Sequence, residues 1–106
     1  MTDRELLRLA AIACGELRGE WVGNDAYFDG VLTRWNPLTD DGDAFRLAAD
    51  LGINTVQIRY VEDPRFECRA RQRRVSVEES APDPRTATRR AIVRAAAEIG
   101  RRHEHQ

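Results

Sequence analysis

The sequence predicts an α+β fold: a helix, an irregular β segment, a helix, two or three antiparallel strands and a last helix, closed into a small sandwich. Three observations carry this. Apolar residues recur at helical spacing near the N-terminus, after Asp40 and after Pro84. Between Thr55 and Val77 they alternate with a period of two. At 42% hydrophobic and 33% charged, 106 residues can bury one core and leave little room for a second. One domain over residues 1–101 is expected, with 102–106 as a frayed tail.

The first helix opens on Thr2 with Glu5 three residues later, a capping-box pattern. Leu6, Leu9, Ala10, Ala13 and Leu17 form its apolar face, with Gly15 interrupting late and Gly19 as the expected stop. Residues 19–38 hold both tryptophans and three glycines, which break any helical period. Extended pieces at Trp21–Val22 and Tyr27–Trp35 are expected there, joined by turns at Gly23–Asn24 and Asp29–Gly30. Pro37 forces an extended entry at Asn36, and Asp40 caps a second helix that Gly52 closes. Ala44, Leu47, Ala48 and Leu51 are its buried stripe, with Phe45 beside it.

Val56, Ile58 and Tyr60 then alternate with Thr55, Gln57 and Arg59; Phe66, Cys68 and Ala70 alternate with Glu67, Arg69 and Arg71. Val75 and Val77 continue after a turn in Gln72–Arg74. The sheet is expected to carry Arg59, Arg69 and Arg71 together on its polar face. Asp83 caps the last helix and Pro84 takes its first position. Thr88, Ile92, Ala95, Ala96 and Ile99 form the packing face, their small size implying a close approach to the sheet.

Several function classes are disfavoured. No apolar run approaches the roughly 18–20 residues that span a bilayer, and the acids in the first 17 residues argue against a signal peptide. Cys14 and Cys68 make neither a disulfide scaffold nor a zinc site. A reduced, cytoplasmic protein is the expectation. No glycine-rich phosphate loop is present, and both histidines, His103 and His105, fall past the expected last helix, away from any nucleophile. His103-Glu104-His105 could chelate a metal only if extended, and a frayed tail leaves it solvated. No cofactor, no bound metal and no catalysis are expected.

The net charge of −1 conceals an asymmetry. Residues 1–53 carry five Arg and ten acids; residues 54–106 carry twelve Arg and eight acids. There is no lysine, which fits a GC-rich genome or a choice of guanidinium for bidentate contacts to phosphate or carboxylate. Asp40, Asp41 and Asp43 suit the positive end of a helix dipole better than a cation, since the spacing lacks the alternating acids of a calcium loop. Trp35 is expected to be buried, closing the core edge. Asn36 is the better functional suspect, as an amide that anchors a turn or reads a polar group.

The stretch Trp35-Asn36-Pro37-Leu38-Thr39-Asp40-Asp41-Gly42-Asp43-Ala44-Phe45-Arg46-Leu47-Ala48 is the most distinctive in the chain. It resembles a block, WNPL-x-DDGDA-x-RLA, of small tailed-phage and prophage proteins of the phage ABA sandwich domain family. The closing segment from Asp83 to Gly100 is similar to that family's last helix. The resemblance implies a small α/β sandwich of phage or prophage origin and carries over no catalytic residue. The expected function is therefore an accessory protein that acts by binding, with a host protein, a defence factor included, as the partner. The alternative is a protein that binds nucleic acid or a nucleotide through the Arg-rich C-terminal half, with Arg59, Arg69, Arg71, Arg89, Arg90 and Arg94 as its cations.

Overall fold

The computed structural model describes residues 1–15, 20–22, 26–28, 34–59, 62 and 64–104. Its order is α1 (Asp3–Cys14), β1 (Glu20–Val22), β2 (Ala26–Phe28), β3 (Arg34–Trp35), α2 (Asp41–Leu51), β4 (Asn54–Arg59), β5 (Phe66–Gln72), β6 (Val75–Ala81) and α3 (Pro84–Glu104). The fold is α+β.

Thr2 caps α1, its Oγ1 accepting from the Glu5 N–H at 3.1 Å. The Glu5 carboxylate turns to Arg8 at 2.5 Å in place of the reciprocal half of the box. Gly15, at φ 76°, ends the helix ahead of the expected Gly19, because its N–H reaches the Ala11 and Ile12 carbonyls from a left-handed conformation open to glycine. Strands β1, β2 and β3 form an antiparallel sheet in that order, Tyr27 standing opposite both Trp21 and Trp35. The expected turns at Gly23–Asn24 and Asp29–Gly30 lie outside the described residues.

The second sheet has the order β4-β5-β6, antiparallel throughout. Gln72 pairs with Val75 across a two-residue turn in which Arg73 takes φ 48°. Cys68 and Ala70 are fully buried, and the register sets them opposite Gln57 and Thr55. Directly opposed residues point to the same face, so the face under the helices carries Thr55, Gln57 and Arg59. The expected alternation of β4 is thus inverted. Val56 is 53% exposed on the far side, beside Arg69. Arg59 lies on the helix side with its guanidinium 5.0 Å from the Phe66 ring centroid, parted from Arg69 and Arg71. A period of two fixes which residues share a face and leaves open which face is covered.

Helix α3 lies mainly on β5 and β6, and α1 and α2 pack against it. It is enclosed from several sides: Ala87, Ala91, Val93, Ala95, Ala96 and Ala97 are all buried. The alanines keep the helix thin between neighbours, and it approaches α1 closely as well as the sheet. A Cβ on Gly100 would stand 1.9 Å from the Leu9 carbonyl oxygen. The helix runs to Glu104, so Arg102 and His103 are helical where a frayed tail was expected. Phe45 faces out, 72% exposed, instead of lying beside the buried stripe.

Gly100→Ala is expected to lower the unfolding free energy by about 1–3 kcal/mol in a urea titration, the range for forcing atoms into a filled contact. A loss below about 0.5 kcal/mol, the level of an ordinary surface change, would mean that α1 does not ride on α3 this closely.

Candidate binding cleft

The segment between β3 and α2 is held by its own polar groups. Asn36 is buried at 4% exposure, and its Oδ1 accepts from the Leu38 N–H at 3.0 Å. Its carbonyl accepts from the Thr39 and Asp40 N–H groups at 3.2 and 2.9 Å. This is a side-chain-anchored turn, and Asn36 serves it from inside the protein. Pro37 is among the most deeply buried side chains. Trp35 is half-buried and packs on the core rather than sealed within it, because it stands at the end of a two-residue strand.

Each carboxylate of the acidic trio has a structural task. Asp40 Oδ2 accepts from the Asp43 N–H at 2.8 Å and caps α2. Asp43, 9% exposed, reaches back with Oδ2 to the Asn36 N–H at 2.9 Å while Oδ1 takes Arg46 at 2.7 Å. Asp41 meets Arg89 at 2.6 Å and Arg85 at 3.5 Å. Among the described residues no cluster of three or more His, Cys, Asp or Glu is arranged to hold a metal.

Arg89 joins the first turn of α3 to the entry of α2. Its Nε donates to the Leu38 carbonyl at 2.8 Å, Nη1 to Asp41, and Nη2 to Thr86 Oγ1 at 3.2 Å. Thr86 belongs to the α3 cap, where its N–H donates to Asp83 Oδ1 at 2.9 Å and its hydroxyl to Oδ2 at 2.6 Å. These bonds to the ionised form, the Thr86 hydroxyl first, hold the Asp83 carboxyl below its usual range.

Between α2, β4 and the start of α3 these contacts leave an open cleft of about 430 Å³. Ala44 and Ala48 of α2, Ile53, and Ile92 of α3 give it an apolar floor, and Phe45 stands at its side. Thr55 and Gln57 of β4 form the opposite wall, Gln57 Nε2 donating to Thr88 Oγ1 at 2.9 Å. Arg85, 79% exposed in its side chain, lies at the α3 end. Cys68 lies behind Gln57, 3.7 Å from its Nε2, and burial pushes its thiol pKa up, away from the reactive thiolate.

The sequence-predicted arginines do not converge. Arg69 pairs with Glu78 directly across the sheet at 2.7 Å, Arg71 is exposed on the same outer face, and Arg59 is on the other face. Arg90 and Arg94 reach Asp3 and Glu79 at 3.3 and 3.2 Å. The cleft was missed in the sequence. Its one local sign was Phe45, an aromatic set off the Ala44–Leu47–Ala48–Leu51 stripe.

A phage protein from Bacillus cereus, known from its crystal structure, has a similar fold, with a TM-score of 0.54 over 90% of this chain and 87% of that one at 12% identity. The fold is one found in a phage protein. No family model and no curated protein matches the chain. Among the described residues no helix is long and apolar enough to cross a membrane.

Two outcomes test the frame of the cleft. Asp43→Ala strands the buried Asn36 N–H and should lower stability by about 1–3 kcal/mol, whereas Asp41→Ala, at an exposed pair, should change it by under about 1 kcal/mol; equal losses in urea would contradict the assignment. The depressed Asp83 carboxyl stabilises the fold above the usual carboxylate range, and that contribution is lost as pH falls through it. Asp83→Asn keeps a capping amide but removes the titration. Its melting temperature should therefore fall less steeply than the wild type's from about pH 5 to about pH 3; parallel acid limbs would refute the linkage.

Proposed function

We propose that the chain is a phage or prophage accessory protein of the ABA sandwich family that binds a host protein, a defence factor being one such class, and catalyses nothing. The observation that carries this reading is the cleft, with an exposed Phe45 beside an apolar floor. An exposed aromatic beside an apolar cleft suits a contact surface. Two of the polar groups around the cleft are committed to structure: Arg89 to Leu38 and Asp41, Gln57 to Thr88. That arrangement suits a rigid wall better than acid–base chemistry. The shared fold with a phage protein supports the origin.

The nucleic-acid reading draws less support. Arg69 is neutralised by Glu78, and Arg59 faces away from both Arg69 and Arg71, so these three arginines do not line up along a phosphate backbone.

In the native host, affinity purification of the tagged protein should retain one host protein in stoichiometric amount, and Phe45→Ala should release it. The affinity for random duplex DNA should be about 10⁻⁴ M or weaker at physiological salt. Sub-micromolar DNA binding at about 150 mM salt, lost when Arg69 and Arg71 become Ala, would overturn this reading in favour of the alternative.

A further inference from the structure

The cleft runs beside an open sheet edge. Strand β4 is the outermost strand of its sheet, and among the described residues only β5 pairs with it. Proteins blunt such edges with charges, prolines or covering elements, because unpaired N–H and C=O groups recruit another strand. The opposite edge, β6, carries Glu78 and Glu79. β4 reads Asn54-Thr55-Val56-Gln57-Ile58-Arg59, with no proline and one charge, at its last residue. Its outer face also leaves Val56 more than half exposed.

The helix layer leaves room at this edge. α3 lies chiefly over β5 and β6, and α2 packs on α3 with the cleft between it and β4. A strand added to β4 would run under α2. Residues directly opposed across a strand pair share a face, so the side chain opposite Thr55 would enter the cleft beside Ala48 and Ile92. The next inward side chain, opposite Gln57, would lie toward the start of α3, because Gln57 is bonded to Thr88 there.

The charge at that end is positive and exposed. Asp41 is the cleft's acid, and Arg89 takes it at 2.6 Å with only 18% of its own side chain exposed. Arg85 is left as a cation 79% exposed, 3.5 Å from the same carboxylate. An incoming carboxylate is the complement.

We infer that β4 accepts an extended segment of the partner protein by strand addition, with an apolar side chain entering the cleft and an acidic one two residues away pairing with Arg85. The inference rests on the binding role proposed above and names its mode and chemistry. Main-chain pairing along the edge supplies affinity; the alternate side chains in the cleft supply selectivity.

The probe is a blocked octapeptide of threonines with one Leu and one Asp two residues apart, titrated into the isotopically labelled full chain and followed by NMR. Saturable shifts should appear at the amides of Thr55, Val56 and Gln57 and at Ala48 and Ile92. Replacing the peptide Leu by Ser, or its Asp by Lys, should each weaken binding by about tenfold or more. Arg85→Glu should reverse the charge preference and favour the Lys peptide. Arg85 is largely exposed, so this variant keeps the fold, which its own spectrum verifies.

Equal binding of a peptide N-methylated along its backbone would overturn strand addition. So would shifts confined to α2 and α3, or a response to octanoate alone, which would make the cleft a small-anion site. Concentration-dependent dimerisation that moves the β4 amides without peptide would assign the edge to a second copy and overturn the inference. If no peptide binds while the Phe45-dependent host protein is still retained, the inference fails and the binding role stands. If peptides bind as described but no host protein is retained, the host-protein role is overturned and strand addition at β4 stands for a segment from another source.

Discussion

One guanidinium, that of Arg89, sets the geometry on which the cleft depends. Its donors reach the Leu38 carbonyl, the Asp41 carboxylate and the Thr86 hydroxyl, which belong to the loop before α2, to α2 and to α3. The first turns of α2 and α3, some fifty residues apart in sequence, are thereby held at one point, at the mouth of the cleft. The fork geometry of arginine makes this feasible; a lysine offers a single flexible ammonium and could not hold three acceptors in fixed directions. Asp43 does the same for the loop from inside, through the Asn36 N–H. The acidic block thus shapes the cleft mainly by holding backbone.

The other controlling constraint is steric. α3 has a sheet on one side and two helices against it, so small side chains are favoured along it, although Ile92, Val93 and Ile99 are buried there too. Alanines at 87, 91, 95, 96 and 97 and Gly100 meet that need. The helix lies chiefly over β5 and β6 and covers β4 only in part, where Thr88 meets Gln57. The uncovered strip becomes the cleft, and the polar side chains of Thr55 and Gln57 are tolerated there because water reaches them.

Much of this was legible in the sequence, and the misses have physical causes. Helix starts at Thr2, Asp40 and Asp83 depend on local hydrogen bonds, so their pattern is readable; the α1 stop at Gly15 rather than Gly19 turned on which glycine the helix reached first. The order of strands followed from periodicity. The facing of β4 did not, because hydrophobicity would bury Val56 and Ile58, while the pairing of Gln57 with Cys68 and the bond from Gln57 to Thr88 decide otherwise. Both are long-range. The same inversion removed Arg59 from the Arg69–Arg71 face. The cleft was invisible for a related reason: Ala44, Arg85 and Thr55 lie on three elements, and only Phe45 marked it locally.

The arginine-rich half shows how charge asymmetry in sequence can be spent internally. Residues 54–106 supply the cations and residues 1–53 several of the acids that receive them: Arg89 and Arg85 meet Asp41, and Arg90 meets Asp3. Others are matched locally, as Arg69 with Glu78 and Arg101 with Glu98. An opposite balance in the two halves therefore helps dock α1 and α2 onto α3. Exposed pairs of this kind add little stability each, but they fix which helix faces which. Arg85 makes the longest of the three pairs that join the halves, 3.5 Å from an Asp41 that Arg89 holds at 2.6 Å, and its side chain stays 79% exposed. It therefore adds least to the docking of α2 onto α3, and under the proposed binding role its charge at the rim of the cleft is the one placed to meet a partner.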